Sequence, residues 1–150
     1  MPALRGEFLS GKKAVLPDAA HGRLALVALG FSYDSRFAVE AWTERFRRDF
    51  GTNDSVTFFE VPVIGGMARM ARPFIDGGMR RGTPEALHES VITVYGGAGQ
   101  WKLRLGFREP DDAYLVLIDR TGRIVWCHAG PFREEDYALL ATAAQRQLTP

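Results

Sequence analysis

The stretch that most constrains the fold runs from Ala113 to Ala129. It starts with an almost wholly apolar run, Ala113 to Ile118, passes through an Asp-Arg-Thr-Gly turn, and becomes apolar again from Ile124 to Cys127. Two apolar runs joined by such a turn predict a β-hairpin. A strand that is apolar on both faces suits the interior of a sheet covered by helices on both sides. Residues 131–147, with a mostly acidic start, predict the helix that follows the hairpin.

The first half of the chain predicts a βαβ unit. The continuous apolar run from Leu24 to Gly30 is typical of a central strand. A helix from about Asp34 to Phe50 follows, with Phe37 among its expected core residues, and Gly51 is a suitable end. A strand from Ser55 to Val63 completes the unit, and its order predicts a parallel pair of strands.

Between these two regions the pattern changes to helical spacing. Apolar residues from Met67 to Met79 predict an amphipathic helix, and Pro73 in its middle predicts a kinked or two-part helix. A short turn through Leu87, a strand over 91–95 and a short helix or coil over 100–106 are expected next. Before Leu24, we expect only a short strand over 13–16.

Composition excludes several classes of function. The 150 residues are expected to form one domain, 1–150, and the net charge of +1 gives no general attraction to nucleic acid. The single cysteine, Cys127, excludes an internal disulfide and a cluster of thiolate ligands, and no spacing predicts a metal or another cofactor. No apolar run is long enough to span a membrane. The expected location is the cytoplasm, with any membrane contact being peripheral.

The predicted order of elements is that of the thioredoxin fold, an α/β fold with a central mixed sheet, helices on both faces and a C-terminal β-hairpin plus helix. That fold carries its chemistry at the first strand-to-helix turn. Here the turn reads Phe31-Ser32-Tyr33-Asp34-Ser35-Arg36 and resembles the aromatic-C-x-x-C-basic pattern with both cysteines replaced by serine. A serine hydroxyl supplies neither a thiolate nor a disulfide bond. Disulfide exchange is therefore not expected at this turn.

Three other roles are open for the turn. Ser32 or Asp34 can cap the helix. Alternatively, free amides at the helix start beside Arg36 can receive a carboxylate or phosphate, which makes Ser32, Ser35 and Arg36 candidate anion-binding residues. A nucleophilic serine would need a base, and none of the three histidines is close in sequence.

Cys127 lies on a predicted apolar strand, where a cysteine usually acts as a small buried hydrophobe. We therefore expect a structural role for it. His128 follows directly, but neighbouring strand residues point to opposite faces, so the two do not form a Cys-His pair. The alternative is that Cys127 is the nucleophile of a thiol-dependent peroxidase or reductase.

The region around Pro73 combines methionines with arginines. Such a helix can simply pack on the sheet, with its basic side in water. It can also form an adaptable docking surface, because methionine fits different apolar partners and arginine binds acidic groups at the rim. The candidate partner-binding residues are Met67, Arg69, Met70, Arg72, Phe74, Met79, Arg80 and Arg81.

Two motifs resemble a known family. They are Arg-Arg-Gly-Thr-Pro-Glu at 80–85 and Y-x-x-L-x-D-x-x-G-x-I-x-W from Tyr114 to Trp126. Over most of its length the chain is similar to the mitochondrial ATP synthase assembly factors of the thioredoxin-like superfamily, with the composition of a bacterial relative. The resemblance implies a non-redox, chaperone-like binding protein that is not an enzyme. It also implies a protein partner, a hydrophobic subunit of a membrane complex.

Overall fold

The structure is a computed structural model that describes residues 1–65 and 70–150. The described residues form seven strands and four α-helices. The strands are β1 (Leu4–Phe8), β2 (Lys13–Leu16), β3 (Leu24–Gly30), β4 (Val56–Ile64), β5 (Ile92–Tyr95), β6 (Ala113–Ile118) and β7 (Ile124–Gly130). The helices are α1 (Ser35–Phe50), α2 (Arg72–Gly82), α3 (Ala98–Leu105) and α4 (Glu134–Leu148).

The strands form one mixed sheet in the order β2-β1-β5-β4-β3-β6-β7. The pairs β3–β4 and β4–β5 are parallel, and β3–β6 and β6–β7 are antiparallel. The predicted hairpin, βαβ unit and central mixed sheet are therefore confirmed. Every residue of β3 and of β6 is buried, as their uninterrupted apolar sequences predict.

Two hydrophobic cores lie on opposite faces of the sheet. One is formed with α1 and α4 and contains Trp42, whose indole Nε1 donates a hydrogen bond to the Gly130 carbonyl oxygen at 3.2 Å. The other contains Trp101 of α3 and residues of β1 to β6. This arrangement confirms the expectation of helices on both faces of the sheet.

Two local expectations are wrong. The strand β1 was not expected, because its sequence Leu-Arg-Gly-Glu-Phe is short and carries two charges. Phe37 lies outside the core, since its side chain is exposed on α1. The predicted kinked or two-part helix from Met67 to Met79 lies partly outside the described residues; within them, α2 begins at Arg72 and Pro73 lies in its first turn, where its missing N–H needs no partner.

Gly6 shows why β1 can pair with both of its neighbours. A Cβ built at this position would lie 2.5 Å from the Thr93 carbonyl oxygen and 2.6 Å from Ile92 Cγ2, which is too close for any side chain. Glycine therefore allows β1 to approach β5.

Gly6→Ala is expected to destabilise the protein by roughly 1–3 kcal/mol, the cost of overpacking a well-packed interior. Denaturant unfolding measures this change. Gly99→Ala in α3 is the matched control, because an added Cβ there meets no atom within 4 Å and alanine favours a helix. Equal stabilities of the two variants would contradict the steric argument.

Candidate functional site

Two serines hold the turn between β3 and α1. The Ser35 amide donates to Ser32 Oγ at 3.0 Å, and the Ser35 hydroxyl donates to the Ser32 carbonyl oxygen at 2.7 Å. The Ser32 amide donates in turn to Ser35 Oγ at 3.3 Å. Ser32 thus satisfies the first amide of α1, whereas the Asp34 side chain makes no capping hydrogen bond. The hydroxyls occupy the positions that cysteines have in the C-x-x-C pattern.

A carboxylate from a distant loop completes this turn. Ser32 Oγ donates a hydrogen bond to Asp111 Oδ1 at 2.7 Å, across 79 residues of sequence. The antiparallel pairing of Leu29 with Tyr114 brings the loop before β6 next to the end of β3. Sequence reasoning missed Asp111 as a partner, because Asp111 and Asp112 have the pattern of a solvated loop.

Asp111 bears directly on the anion-binding hypothesis. Its negative charge lies beside Ser32, where a bound carboxylate or phosphate would be repelled. The Ser32 and Ser35 amides are also already bonded to the serine hydroxyls. Binding of an anion by Ser32, Ser35 and Arg36 stays a prediction that these internal contacts do not favour.

Arg36 is directed toward aromatic rings at the surface. Its guanidinium carbon lies 3.7 Å from the Tyr33 ring centroid and 4.2 Å from the Phe37 ring centroid. Its Nη1 also donates to the Tyr33 carbonyl oxygen at 2.7 Å. Tyr33 is 80% exposed. The turn therefore presents a cation and two aromatic rings to solvent.

Tyr114 fixes the loop that carries Asp111. Its hydroxyl accepts hydrogen bonds from the amides of Arg108 and Glu109 and donates one to the Glu109 carbonyl oxygen at 2.9 Å. Its ring packs against Phe31 and Phe107, with centroid distances of 5.4 Å and 5.6 Å. The Ser32–Asp111 contact thus rests on a packed aromatic cluster.

Cys127 is exposed, so the expectation of a buried structural cysteine is wrong. It lies on β7, the outermost strand at one edge of the sheet, opposite Val116 of β6. Among the described residues, the core cluster on the Val116 face includes no residue of β7. The apolar sequence of β7 could not reveal this, because burial depends on the place of a strand in its sheet.

His128 points to the opposite face from Cys127, as strand alternation predicts. Its ring lies 5.4 Å from the Trp42 ring, and its Nε2 lies 3.6 Å from Asp136 Oδ2. The imidazole therefore belongs to the aromatic core beside α1 and α4. It cannot serve as a base for the Cys127 thiol from there.

The serine turn and Cys127 are separate sites. β6 lies between β3 and β7, and two strand spacings of about 4.8 Å place Cys127 roughly 10 Å to the side of β3. Cys127 also pairs with Val116, which lies opposite Val27, three residues before Gly30 along β3. A thiol at Cys127 cannot act together with the Ser32 hydroxyl on one bond.

The arginine- and methionine-rich region is partly fixed to the rest of the protein. Arg80 Nε donates to the Leu9 carbonyl oxygen at 2.8 Å, and Arg72 Nη2 lies 2.8 Å from Glu7 Oε2. Met70 and Phe74 are more than four-fifths exposed, Arg81 is exposed and Met79 is half-buried. Met67 and Arg69 lie outside the described residues. Partner binding by this surface stays a prediction.

Glu60 of β4 is a titratable group in a poorly solvated position. The Thr43 hydroxyl of α1 contacts Glu60 Oε1 and also lies 3.1 Å from the Val39 carbonyl oxygen. Burial raises the pKa of Glu60, and the charges of Glu40 and Glu44 add to this effect, while the hydrogen bond from Thr43 opposes it. The neutral acid is therefore favoured more in the folded state than in the unfolded chain.

Glu60→Gln is expected to stabilise the protein near pH 7 and to have less effect near pH 4. Because the folded pKa lies above the ordinary value of 4.5, the contribution of Glu60 to stability is fully present below that value. It is lost as the pH rises through the folded pKa. Urea unfolding of both proteins across this pH range measures the difference. A constant difference at all pH values would contradict the assignment.

No metal site or membrane span is found in the part of the chain that the structure describes. Residues 1–65 and 70–150 contain no group of three His, Cys, Asp or Glu side chains arranged to hold a metal ion. Within the same residues, no helix combines the length and the apolarity needed to cross a membrane.

Comparison with solved structures identifies the fold. The chain is similar to the exposed lipoprotein thioredoxin Etrx1 of Streptococcus pneumoniae, with 18% identity, a TM-score of 0.63, and coverage of 95% of this chain and 98% of the other. A thiol-disulfide oxidoreductase from Bacteroides fragilis matches at 14% identity and a TM-score of 0.57, over 99% and 98% of the two chains. BsSco, a member of the Sco family of cytochrome c oxidase assembly proteins, matches at 10% identity and a TM-score of 0.60, over 95% and 92%.

No protein-family model matches the chain. No curated protein matches it either.

The interpretation as a non-catalytic assembly factor of the ATP synthase type is contradicted. The similar structures include a thioredoxin and a thiol-disulfide oxidoreductase rather than ATP synthase assembly factors. No comparison supports a link to ATP synthase assembly. The chain differs from a C-x-x-C protein in holding only one cysteine. The chain has the thioredoxin-like fold, with serines at the turn where the C-x-x-C pattern places its cysteines.

Proposed function

We propose that the chain is a thiol-dependent protein that exchanges disulfides through one thiol, that of Cys127. The observation that carries this proposal is the exposure of the only thiol of the chain on the outermost strand of the sheet. A thiol must be accessible for a disulfide to approach it in line. The likeness to thioredoxin and to a thiol-disulfide oxidoreductase supports the same class of chemistry.

The chemistry needs no second cysteine in the chain. The Cys127 thiolate attacks the glutathione sulfur of a peptide–glutathione mixed disulfide, so that a Cys127–glutathione bond forms and the original sulfur–sulfur bond breaks. The peptide leaves as a thiolate with the electron pair of the broken bond and takes up a proton. A second glutathione thiolate then attacks the glutathione sulfur of the mixed disulfide and releases Cys127. Glutathione thus replaces the resolving cysteine, the second thiol that would otherwise cleave the mixed disulfide.

The serine turn does not compete for this role. The Ser32 hydroxyl already donates to Asp111, and oxygen cannot replace sulfur in a disulfide. In this proposal the turn is a structural feature of the fold. Thiol exchange takes place at β7, on the other side of β6.

The test is glutathione-dependent reduction of a peptide–glutathione mixed disulfide, together with the intact mass of the protein. We expect reversible addition of one glutathione to the protein and turnover faster than that of free cysteine. Cys127→Ser should lose both. The matched control is Cys127→Ser combined with Ala129→Cys, which moves the thiol two residues along the same exposed face of β7. Equal turnover by this control, or none by the parent, would refute a site at Cys127.

A further inference from the structure

The strand β7 presents an unprotected edge. Among the described residues, its only strand partner is β6. Its seven residues, Ile124–Gly130, include no Asp, Glu, Lys, Arg or Pro. Ile124, Val125, Cys127 and Ala129 are exposed. Proteins that remain monomeric usually protect an edge strand with a charge or a proline, because its free backbone groups can pair with another strand.

The opposite edge of the sheet differs. Its outermost strand β2 is only four residues long, and it begins with the exposed Lys13. Short length and an exposed lysine are two of the usual devices that prevent edge pairing. β7 has one such device, a β-bulge. Its residue Val125 lies between the partners of Leu117 and Ile118 and has no partner of its own on β6. The regular segment from Trp126 to Ala129 remains open, whereas Gly130 is buried and its carbonyl oxygen accepts the hydrogen bond from Trp42.

The charges at the two ends of β7 favour antiparallel pairing with a second copy. The turn before β7 carries exposed Arg120 and Arg123, while Asp119 accepts hydrogen bonds from the turn itself. The segment just after β7 carries the exposed Arg133 and three acidic residues, of which Glu134 is paired with Arg45 and Asp136 lies 3.6 Å from His128 Nε2, so this end of the strand is net negative. Antiparallel pairing with a second copy places the basic end of each strand beside the acidic end of the other. Parallel pairing would place like charges together.

We propose that β7 pairs antiparallel with β7 of a second copy around a two-fold axis. Pairing centred on Cys127 places Trp126 opposite His128 of the other copy, and Cys127 opposite Cys127 of the other copy. Directly opposed residues have Cα atoms about 4.5–5.5 Å apart, within the range of about 4.4–6.8 Å that a disulfide needs. The second copy therefore supplies the second thiol that the chain lacks.

This inference rests on the proposed function and extends it. When the paired thiols reduce a substrate disulfide, one Cys127 thiolate first forms a mixed disulfide, and Cys127 of the other copy then attacks the Cys127 sulfur. A disulfide forms between the two copies, the substrate gains two electrons and two protons, and it leaves as a dithiol. Glutathione reduces the linked pair again by the same exchange.

The contact is expected to be weak in the absence of the disulfide. Pairing of two edge strands buries less than the roughly 1,200 Å² typical of stable interfaces. Self-association should therefore depend on concentration, and oxidation should trap the dimer. The experiment is sedimentation equilibrium over a wide concentration range, with and without oxidised glutathione.

Three variants separate the inference from the proposed function. Cys127→Ser should still self-associate, because it keeps the edge strand. Val125→Lys in the same background should be monomeric, because it adds the charge that edge strands normally carry. Leu139→Lys in the same background is the control, since Leu139 is an apolar side chain on α4, 60% exposed, and should not affect association.

Monomeric Cys127→Ser at every concentration, or unchanged association of the Val125→Lys variant, would overturn the pairing. The same holds if oxidation fails to link two copies of the parent through Cys127. Glutathione exchange by a purely monomeric parent would refute the pairing of two copies and leave the proposed function standing. Loss of exchange with intact self-association would refute the proposed function and leave the pairing standing.

Discussion

Replacing Ser32 and Ser35 together with cysteine is expected to create a disulfide-forming pair at the start of α1. The turn already holds the two side chains together, since each serine bonds to the other. A thiol at a helix N-terminus also has a lowered pKa, which increases its thiolate fraction. In a Cys127→Ser background, the variant should reduce insulin in the presence of dithiothreitol, and the background alone should not.

Asp111 makes this expectation quantitative. Its carboxylate lies 2.7 Å from Ser32 Oγ and should oppose ionisation of a thiol placed there, because like charges disfavour each other. Adding Asp111→Asn should therefore lower the pKa of the introduced thiol by about one unit or more and raise insulin reduction at neutral pH. Titration of the thiol by its thiolate absorbance measures this change.

The single cysteine variants at positions 32 and 35 are the controls, because neither can form an intramolecular disulfide. If the double variant fails to form one under oxidising conditions, its turn does not have the geometry of a C-x-x-C site. If Asp111→Asn leaves the thiol pKa unchanged, Asp111 does not influence this position in solution.

Leu117→Ala is expected to cost roughly 2–5 kcal/mol of stability, the range for opening a cavity in a packed core. Leu117 is fully buried on β6, between Leu26 of β3 and Trp126 of β7, in the core formed with α1 and α4. Two strands and two helices surround the site, so the structure can close the cavity only in part. Chemical denaturation monitored by far-UV circular dichroism measures the loss.

Leu139→Ala provides the comparison for this prediction. The same substitution on the exposed side of α4 removes little buried surface, so stability should change by no more than about 0.5 kcal/mol. A loss below about 1 kcal/mol for Leu117→Ala would mean that β6 is not a central strand. That result would also contradict the position of β7 as the next strand outward.

The elements that could be predicted are those whose signal is local. β3 and β6 are continuous apolar runs, and α1 begins after a polar turn and ends near Gly51, so residues within one segment specify each element. β1 could not be predicted in this way, because it depends on Gly6 being opposite β5, more than eighty residues away in sequence. The helix start at Arg72 was missed because the apolar spacing extends farther back than α2 does.

The candidate sites likewise combine features that the sequence determines and features that only the tertiary structure determines. The sequence determined that the first strand-to-helix turn carries serines and that the chain has one thiol, because both are facts of composition and order. Only the tertiary structure decided that Asp111 bonds to Ser32, because strand pairing brings the two residues together. It also decided that Cys127 is exposed, because an apolar strand is buried in the middle of a sheet and open at its edge.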